Sequence, residues 1–512
     1  MQKIRPSSHK EFLAIAVVLM ATDFAPPFLR ILGSRTWTHL GITEGEWSIF
    51  MAARGLFFIV FIMSAGVLGD LFGRRLVLQI ALAGFIFCVP VMIFSSPVSL
   101  PFVVTYTLWS IISVMIRTLA VTFVILRFEG RTRLLALIGY SILIGASFLL
   151  SPLLATTLKA AVSFNAMFIA PVLLAIIGFV LVKKNLPESH VSFDFWRLDA
   201  LALAVWTFGL CLMIFSGVLS GGLGWTNPLV LIGFGVGALL VLLMSWLSGR
   251  QMPVKWKFKL RYDHRLGIAI FAGMILNLVL YAIAVQVFNF MSRVQNISVI
   301  LSGIGLAPIL AGAFISVQVV RMVRRWEVGQ IMAAGLALMG VPALVLSLLQ
   351  PDISYLVLLP CLMLLGFGFI LGNSPRLLLL AASVPQSLAA TVQSIGSATA
   401  HLGSALAYSL MITLLEGFGT RAYVQTLESF GLSDLQIAIR LTTLAKASEE
   451  ISVIAPTEEQ TELIQQLDFW IVQAYTIGLS RAMLVLAGVC FISAGVVYVG
   501  LRKSKKYEEL EA

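Results

Sequence analysis

Charge is scarce in this chain. Asp, Glu, Lys and Arg make up 12% of its 512 residues, hydrophobic residues make up 59%, and mean hydropathy is +0.98. A soluble protein of this length carries about twice that charged fraction, which excludes a large soluble enzyme. Cysteine is scarcer still. Cys88, Cys211, Cys361 and Cys490 lie far apart, each inside an apolar run. Thiols placed this way are packing residues, not a disulfide framework or a metal site. The histidines, His9, His39, His190, His264 and His401, are isolated. No H-x-x-x-H, C-x-x-C or Ser–His constellation accompanies them, so a membrane enzyme is disfavoured and no cofactor is called for. No ring or filter motif of a channel is present either.

What the chain does have is apolar length. Runs of about 20 residues, enough to cross a bilayer as a helix, recur along it. Fourteen spans are expected, at about 11–31, 47–68, 76–95, 100–126, 134–156, 163–182, 200–220, 227–247, 266–290, 299–320, 328–349, 354–374, 391–415 and 475–501. In lipid each backbone N–H and C=O must be satisfied within its own segment. The runs are rich in Leu, Ala and Gly and lack the alternation of a barrel. The predicted fold class is an all-α integral membrane protein.

With both termini on the cytoplasmic side, the inner segments hold about three times as many Lys and Arg as the outer ones, which is the expected bias. The net charge of +11 is thereby explained without nucleic acid. The expected location is a cell membrane of the bacterial cytoplasmic type, with the first span retained and not cleaved as a signal. The basic loop SGRQMPVKWKFKLRYDHR, 248–265, interleaves Trp256 and Phe258 and reads as an anchor on anionic membrane lipid. Segment 416–470 is polar and acidic, reads as outer, and has helical pattern up to a break at Gly431. It would gate or merely cap the outer mouth.

The second run ends in GVLGDLFGRR, Gly66 to Arg75. Gly66, Gly69 and Gly73 permit close helix approach and a tight turn. Asp70, Arg74 and Arg75 can form an ion-pair cluster made in one conformation and broken in another, or simply stop the span; spacing leaves both open. Deeper in the runs lie Asp23, Arg54 and Arg117. An ionisable group at mid-bilayer costs about 2.5–3.5 kcal/mol on insertion scales, so it usually faces a cavity and a partner. Asp23 is twelve residues past Glu11, roughly 18 Å in, and Arg117 is ten residues from Arg127, roughly 15 Å in, at the helical rise. The two are expected to face each other, with Arg54 nearer the outer side. Withdrawing Arg117 would let Asp23 take up a proton; the alternative is a static pair. The second half has no acid well inside a span. Its polar candidates are Asn277, Gln286, Asn289, Gln318, Asn373, Gln393 and His401, the last either a packed residue or a proton relay.

The spacing Gly66-x-x-x-Asp70-x-x-Gly73-Arg74-Arg75, between the second and third runs, resembles the loop 2–3 signature of the major facilitator superfamily. Four further stretches resemble its fourteen-span drug:proton antiporter branch: NLPES at 185–189, FDFWRLDALAL to SGGLGWTNP across 193–228, QVFNFMSRVQNISVILSGIGLAP at 286–308, and SVPQSLAATVQSIGSATAHLGSALAYSLMITLL at 383–415. The span-five stretch GASFLLSPLLATT, 145–157, keeps Gly145 and Pro152 of that branch's motif, with Ser151 where a glycine is usual and no later paired glycines. The resemblance implies two six-helix bundles, 1–190 and 266–512, around a central cavity, with two additional helices and the basic loop in 191–265. It further implies alternating access, with Asp70, Arg74 and Arg75 latching the cytoplasmic side. The expected activity is proton-coupled efflux of small amphipathic or drug-like molecules by a monomer. With Asp23 set against two in-span arginines, an anionic or lipid-like cargo is the competing expectation. A non-transporting sensor or scaffold of the same fold is the alternative from another class.

Overall fold

The computed structural model describes residues 9–23, 65, 68–69, 72–95, 100–128, 132–133, 135–140, 142–143, 146, 150, 168–188, 205, 208–209, 212–213, 215–216, 226–251, 264–383, 389–429 and 458–502. Among them there is no strand. The helices are α1 (His9–Asp23), α2 (Arg74–Phe94), α3 (Leu100–Arg127), α4 (Ile169–Asn185), α5 (Pro228–Gln251), α6 (His264–Asn289), α7 (Val299–Ile304), α8 (Ser316–Arg325), α9 (Val328–Leu346), α10 (Tyr355–Ala382), α11 (Ala389–Ser429) and α12 (Glu458–Gly500). A π-turn, Phe290–Val294, extends α6, and a 3-10 stretch, Ala307–Ile315, separates α7 from α8.

Six described helices are long and apolar enough to cross a membrane: Arg74–Phe94, Val104–Arg127, His264–Ser292, Val328–Leu346, Tyr355–Ala382 and Val472–Gly500. They coincide with the third, fourth, ninth, eleventh, twelfth and fourteenth expected spans. The runs at 47–68, 134–156 and 200–220 fall mostly outside the described residues. The tenth span is not the single helix expected. Gly303, Gly305 and Pro308 loosen it, and its narrower 3-10 part lies where its backbone touches α10. There a methyl group on Gly366 would overlap the Ile309 carbonyl oxygen, and one on Gly312 would stand 2.5 Å from the Gly366 carbonyl oxygen.

The helices form two groups. In the first, α1 packs on α3 and α4, and α2 packs on the same two. An aromatic cluster fills this core: Trp109 is 4.8 Å from Phe85 and 5.5 Å from Phe168 between ring centroids. In the second group α9 packs on α10 and α12, and α6 packs on α10, α11 and α12. Contact of α3 with α11 joins the groups. Helix α5 lies against Gly209, Met213 and Ser216, with Gly209 and Gly237 in close approach, and it exposes Leu229, Leu231, Ile232, Leu239 and Leu242. Such an all-round apolar helix is covered by lipid.

One face of the molecule is basic. The start of α1 meets the end of α3 through Glu11 and Arg127, 2.8 Å apart. In the second group, Gly329 and Ile268 both pack on the end of α12, against Leu501 and Gly500. Lys10, Arg75, Lys183, Lys184, Arg265, Arg321 and Arg325 lie at helix ends on this side. At the opposite face α11 and α12 run on beyond the expected spans, into 416–429 and 458–471, with Gly478 set against the Leu415 carbonyl oxygen at 2.9 Å. The expected break at Gly431 lies outside the described residues.

Candidate functional site

The loop before α2 is built on glycine. Gly73 caps the helix with φ 99°, a conformation that excludes ordinary side chains. Gly69 lets the preceding turn approach α3, where a methyl group would stand 2.5 Å from the Leu119 Cδ2 atom. Arg74 is buried, 3% exposed. Arg75 reaches the end of α4. Its Nη1 donates to the Leu186 carbonyl at 3.2 Å, and its Nε lies 3.7 Å from Glu188 Oε2. The same carboxylate accepts the backbone N–H groups of Arg75 (3.0 Å) and Leu76 (3.1 Å). Glu188 therefore caps α2 as well as pairing with the arginine, both favourable at the positive end of a helix dipole. It is the acid of the NLPES stretch, whose role the sequence did not reveal. Gly66 and Asp70 lie outside the described residues, as do Arg54, Gly145 and Pro152.

Glu11 and Arg127 fix the register of α1 against α3, with Arg127 Nη2 donating to Oε1 at 2.8 Å and Nε to Oε2 at 3.4 Å. The helices pack and run in opposite directions. Counting inward from this pair puts the backbones of Asp23 and Arg117 within about 3 Å of the same depth. Asp23 is the last residue of α1; its side chain lies outside the description. Arg117 is half-buried and reaches across to the second group, its Nη1 3.3 Å from Nε2 of His401 on α11. A guanidinium has only donors, so this contact is a hydrogen bond in the tautomer whose Nε2 accepts and whose proton sits on Nδ1.

A second arginine lies nearer the basic face. Arg376 on α10 is 4% exposed, and its Nε and Nη2 both donate to Asn373 Oδ1, at 3.1 and 3.0 Å. Its Nη1 has no hydrogen-bond partner. Tyr140 of the first group lies within electrostatic reach. Of the other polar candidates, Gln286 accepts from Tyr475 at 2.9 Å and Asn277 donates to the Gly273 carbonyl at 2.9 Å, both inside the second group. Among the described residues no cluster of His, Cys, Asp and Glu could hold a metal.

Residues 12–257 match the family model of the Major Facilitator Superfamily. No curated protein matches the chain in sequence. Solved structures align over nearly its whole length. An auto-inhibited POT family peptide transporter has TM-score 0.63 at 15% identity, covering 97% of each chain. The human organic anion transporter MFSD10 (TETRAN) has TM-score 0.57 at 15% identity, covering 94% of this chain and 98% of that one. The proton:xylose symporter XylE, bound to 6-bromo-6-deoxy-D-glucose, has TM-score 0.55 at 14% identity, covering 98% of each. At such identities the likeness is one of fold.

Proposed function

We propose, from the major facilitator fold that these matches support, that this multi-pass membrane protein is a proton-coupled secondary transporter. It would export small amphipathic molecules by alternating access. The observation that carries the reading is the hydrogen bond from Arg117 to His401. It joins the two helix groups at mid-depth and requires a neutral imidazole. A protonated imidazole has no lone pair to offer and sets a second positive charge against the guanidinium. Proton uptake at His401 thus parts the groups, and Asp23, level with Arg117, is the acid that receives the released arginine. Arg54 is the second candidate partner for that acid. The Arg75–Glu188 contact keeps the first group stiff while the groups rock, and Asp70 is the acid assigned to the cytoplasmic latch with Arg74 and Arg75. The basic face is cytoplasmic on the positive-inside bias, the two additional helices sit between the bundles in sequence, and the monomer is the working unit.

Proteoliposomes with an imposed pH gradient test this. Gradient-accelerated flux of an amphipathic panel is expected for the wild type and is lost in Asp23→Asn and in His401→Asn. Unchanged proton dependence in both variants removes the coupling. If no solute on the panel shows counterflow, the sensor or scaffold reading replaces transport. A second reading, an anionic cargo, is favoured by one observation: among the described residues the buried guanidinium of Arg376 donates to a carboxamide and not to a carboxylate.

A further inference from the structure

Arg376 lies six residues from the basic-face end of α10, roughly 9 Å in at the helical rise. Asn373, one turn earlier, grips two of its three nitrogens through a single oxygen. The guanidinium is therefore aimed and not free to swing. The third nitrogen, Nη1, lies against α6 and α11 where both carry glycine. A methyl group on Gly273 would overlap it, and one on Gly396 would stand 3.7 Å away. One turn from Gly396 along α11, Gln393 is 2% exposed and its Oε1 also has no partner. An unsatisfied donor and an unsatisfied acceptor thus sit on neighbouring helices, with Tyr140 of the first group close by.

Arginine does not shed its proton. A buried charge left without a counter-charge costs several kcal/mol, and an apolar side chain of similar volume would avoid that cost. The Asn373 oxygen offers a dipole, not a charge. Packing therefore gives no reason for arginine here, and an ionisable group kept at such a depth marks a functional site. We propose that Arg376 anchors the anionic head group of the cargo, a carboxylate, through Nη1, with Gln393 Oε1 accepting a hydrogen bond from a donor next to that head group.

The proposal rests on the transporter reading and narrows its substrate class. A cationic cargo is excluded, because it would add like charge beside a guanidinium held by a neutral carboxamide. The placement agrees with the fold. Arg117 on α3 and Arg376 on α10 occupy two 28-residue helices that both end at the basic face. One guanidinium comes from each group, so a carboxylate released by one half is drawn by the other.

The test uses the full-length chain in detergent and three probes of one shape: 4-octylbenzoate, neutral 4-octylbenzamide and cationic 4-octylbenzylammonium. The benzoate is expected to raise the thermal midpoint of the wild type well above the effect of the other two. Its apparent affinity should fall about tenfold or more in Arg376→Gln, the loss expected when a charge-assisted hydrogen bond goes, and recover in part in Arg376→Lys. If Arg376→Gln does not fold, Gly273→Ala serves instead, since its methyl displaces Nη1; benzoate binding should weaken and benzamide binding should not. Equal effects of benzoate and benzamide on the wild type overturn the proposal, as does undiminished benzoate binding in Arg376→Gln or, where that variant does not fold, in Gly273→Ala. Counterflow of the benzoate in proteoliposomes separates the two readings. Arg376-dependent binding without exchange keeps the site and refutes transport. Exchange that ignores Arg376 keeps transport and refutes the site.

Discussion

The Arg117–His401 contact can be weighed in numbers. With His401 neutral, a hydrogen bond from a charged donor contributes about 1.5–3 kcal/mol, and at 3.3 Å the lower end applies. With His401 protonated, that contribution vanishes and two unit charges at this separation repel by about 5 kcal/mol at an effective dielectric of 20. Relaxation and hydration reduce this. Arg376, which approaches α11 at Gly396, five residues nearer the basic face, is also positive and acts in the same sense. Moving a two-state seam from one-to-ten to ten-to-one takes about 2.7 kcal/mol, less than half the combined swing. Lowering the pH should therefore open the joint between α3 and α11. Spin labels at Lys183→Cys and Arg325→Cys, both exposed and one in each helix group, would report it. Cys88, Cys361 and Cys490 are buried and would take little label. In nanodiscs, the wild type should show a pH-dependent second distance between about pH 8 and pH 5, the range where histidine titrates. His401→Asn should hold the closed distance throughout, because its carboxamide oxygen still accepts but takes no proton. An unchanged pH response in His401→Asn, or a wild-type distance indifferent to pH, refutes the reasoning.

Two further predictions concern packing. Gly366→Ala puts a methyl group onto the Ile309 carbonyl, which belongs to backbone and cannot turn aside; overpacking of this kind costs about 1–3 kcal/mol, read as a lowered thermal midpoint, and an unchanged midpoint contradicts the close crossing. Glu188→Ala removes both the cap of α2 and the partner of Arg75, for a loss of about 1–2 kcal/mol, and hydrogen exchange at the amides of Arg75 and Leu76 should quicken; unaltered exchange there contradicts the cap.

Much of the frame was legible in the residues. The apolar runs at 76–95 and 328–349 are helices close to those bounds, since little but length and hydropathy decides them. Gly73 was legible because a turn at positive φ demands glycine. Glu11 and Arg127 served as depth markers in the sequence, and the structure joins them as a pair. The partner of Arg117 was not legible: His401 is 284 residues away, and no local pattern encodes a contact between helix groups. Arg376 was hidden for a different reason. The expected twelfth span stopped at residue 374, because Pro375 and an arginine look like a helix end. Helix α10 instead continues to Ala382, with Leu377 to Leu380 buried, which carries Arg376 well inside.

The charges of the chain divide by partner type, and the division has a physical meaning. Toward the basic face, within the first helix group, carboxylates meet guanidiniums directly: Glu11 with Arg127, Glu188 with Arg75. Such pairs are fixed, since opening either leaves charges poorly screened in a half-buried place, and they hold the first group as one body. Between the groups, Arg117 contacts the His401 imidazole and Arg376 donates to a carboxamide. On the proposed reading each of these contacts is exchangeable, the first by adding a proton to the imidazole and the second by bringing in an anion. A seam that must open needs partners of this exchangeable kind. The same chemistry that makes the two arginines costly to bury would make them responsive to a proton and a carboxylate, the two ligands of the transporter proposed above.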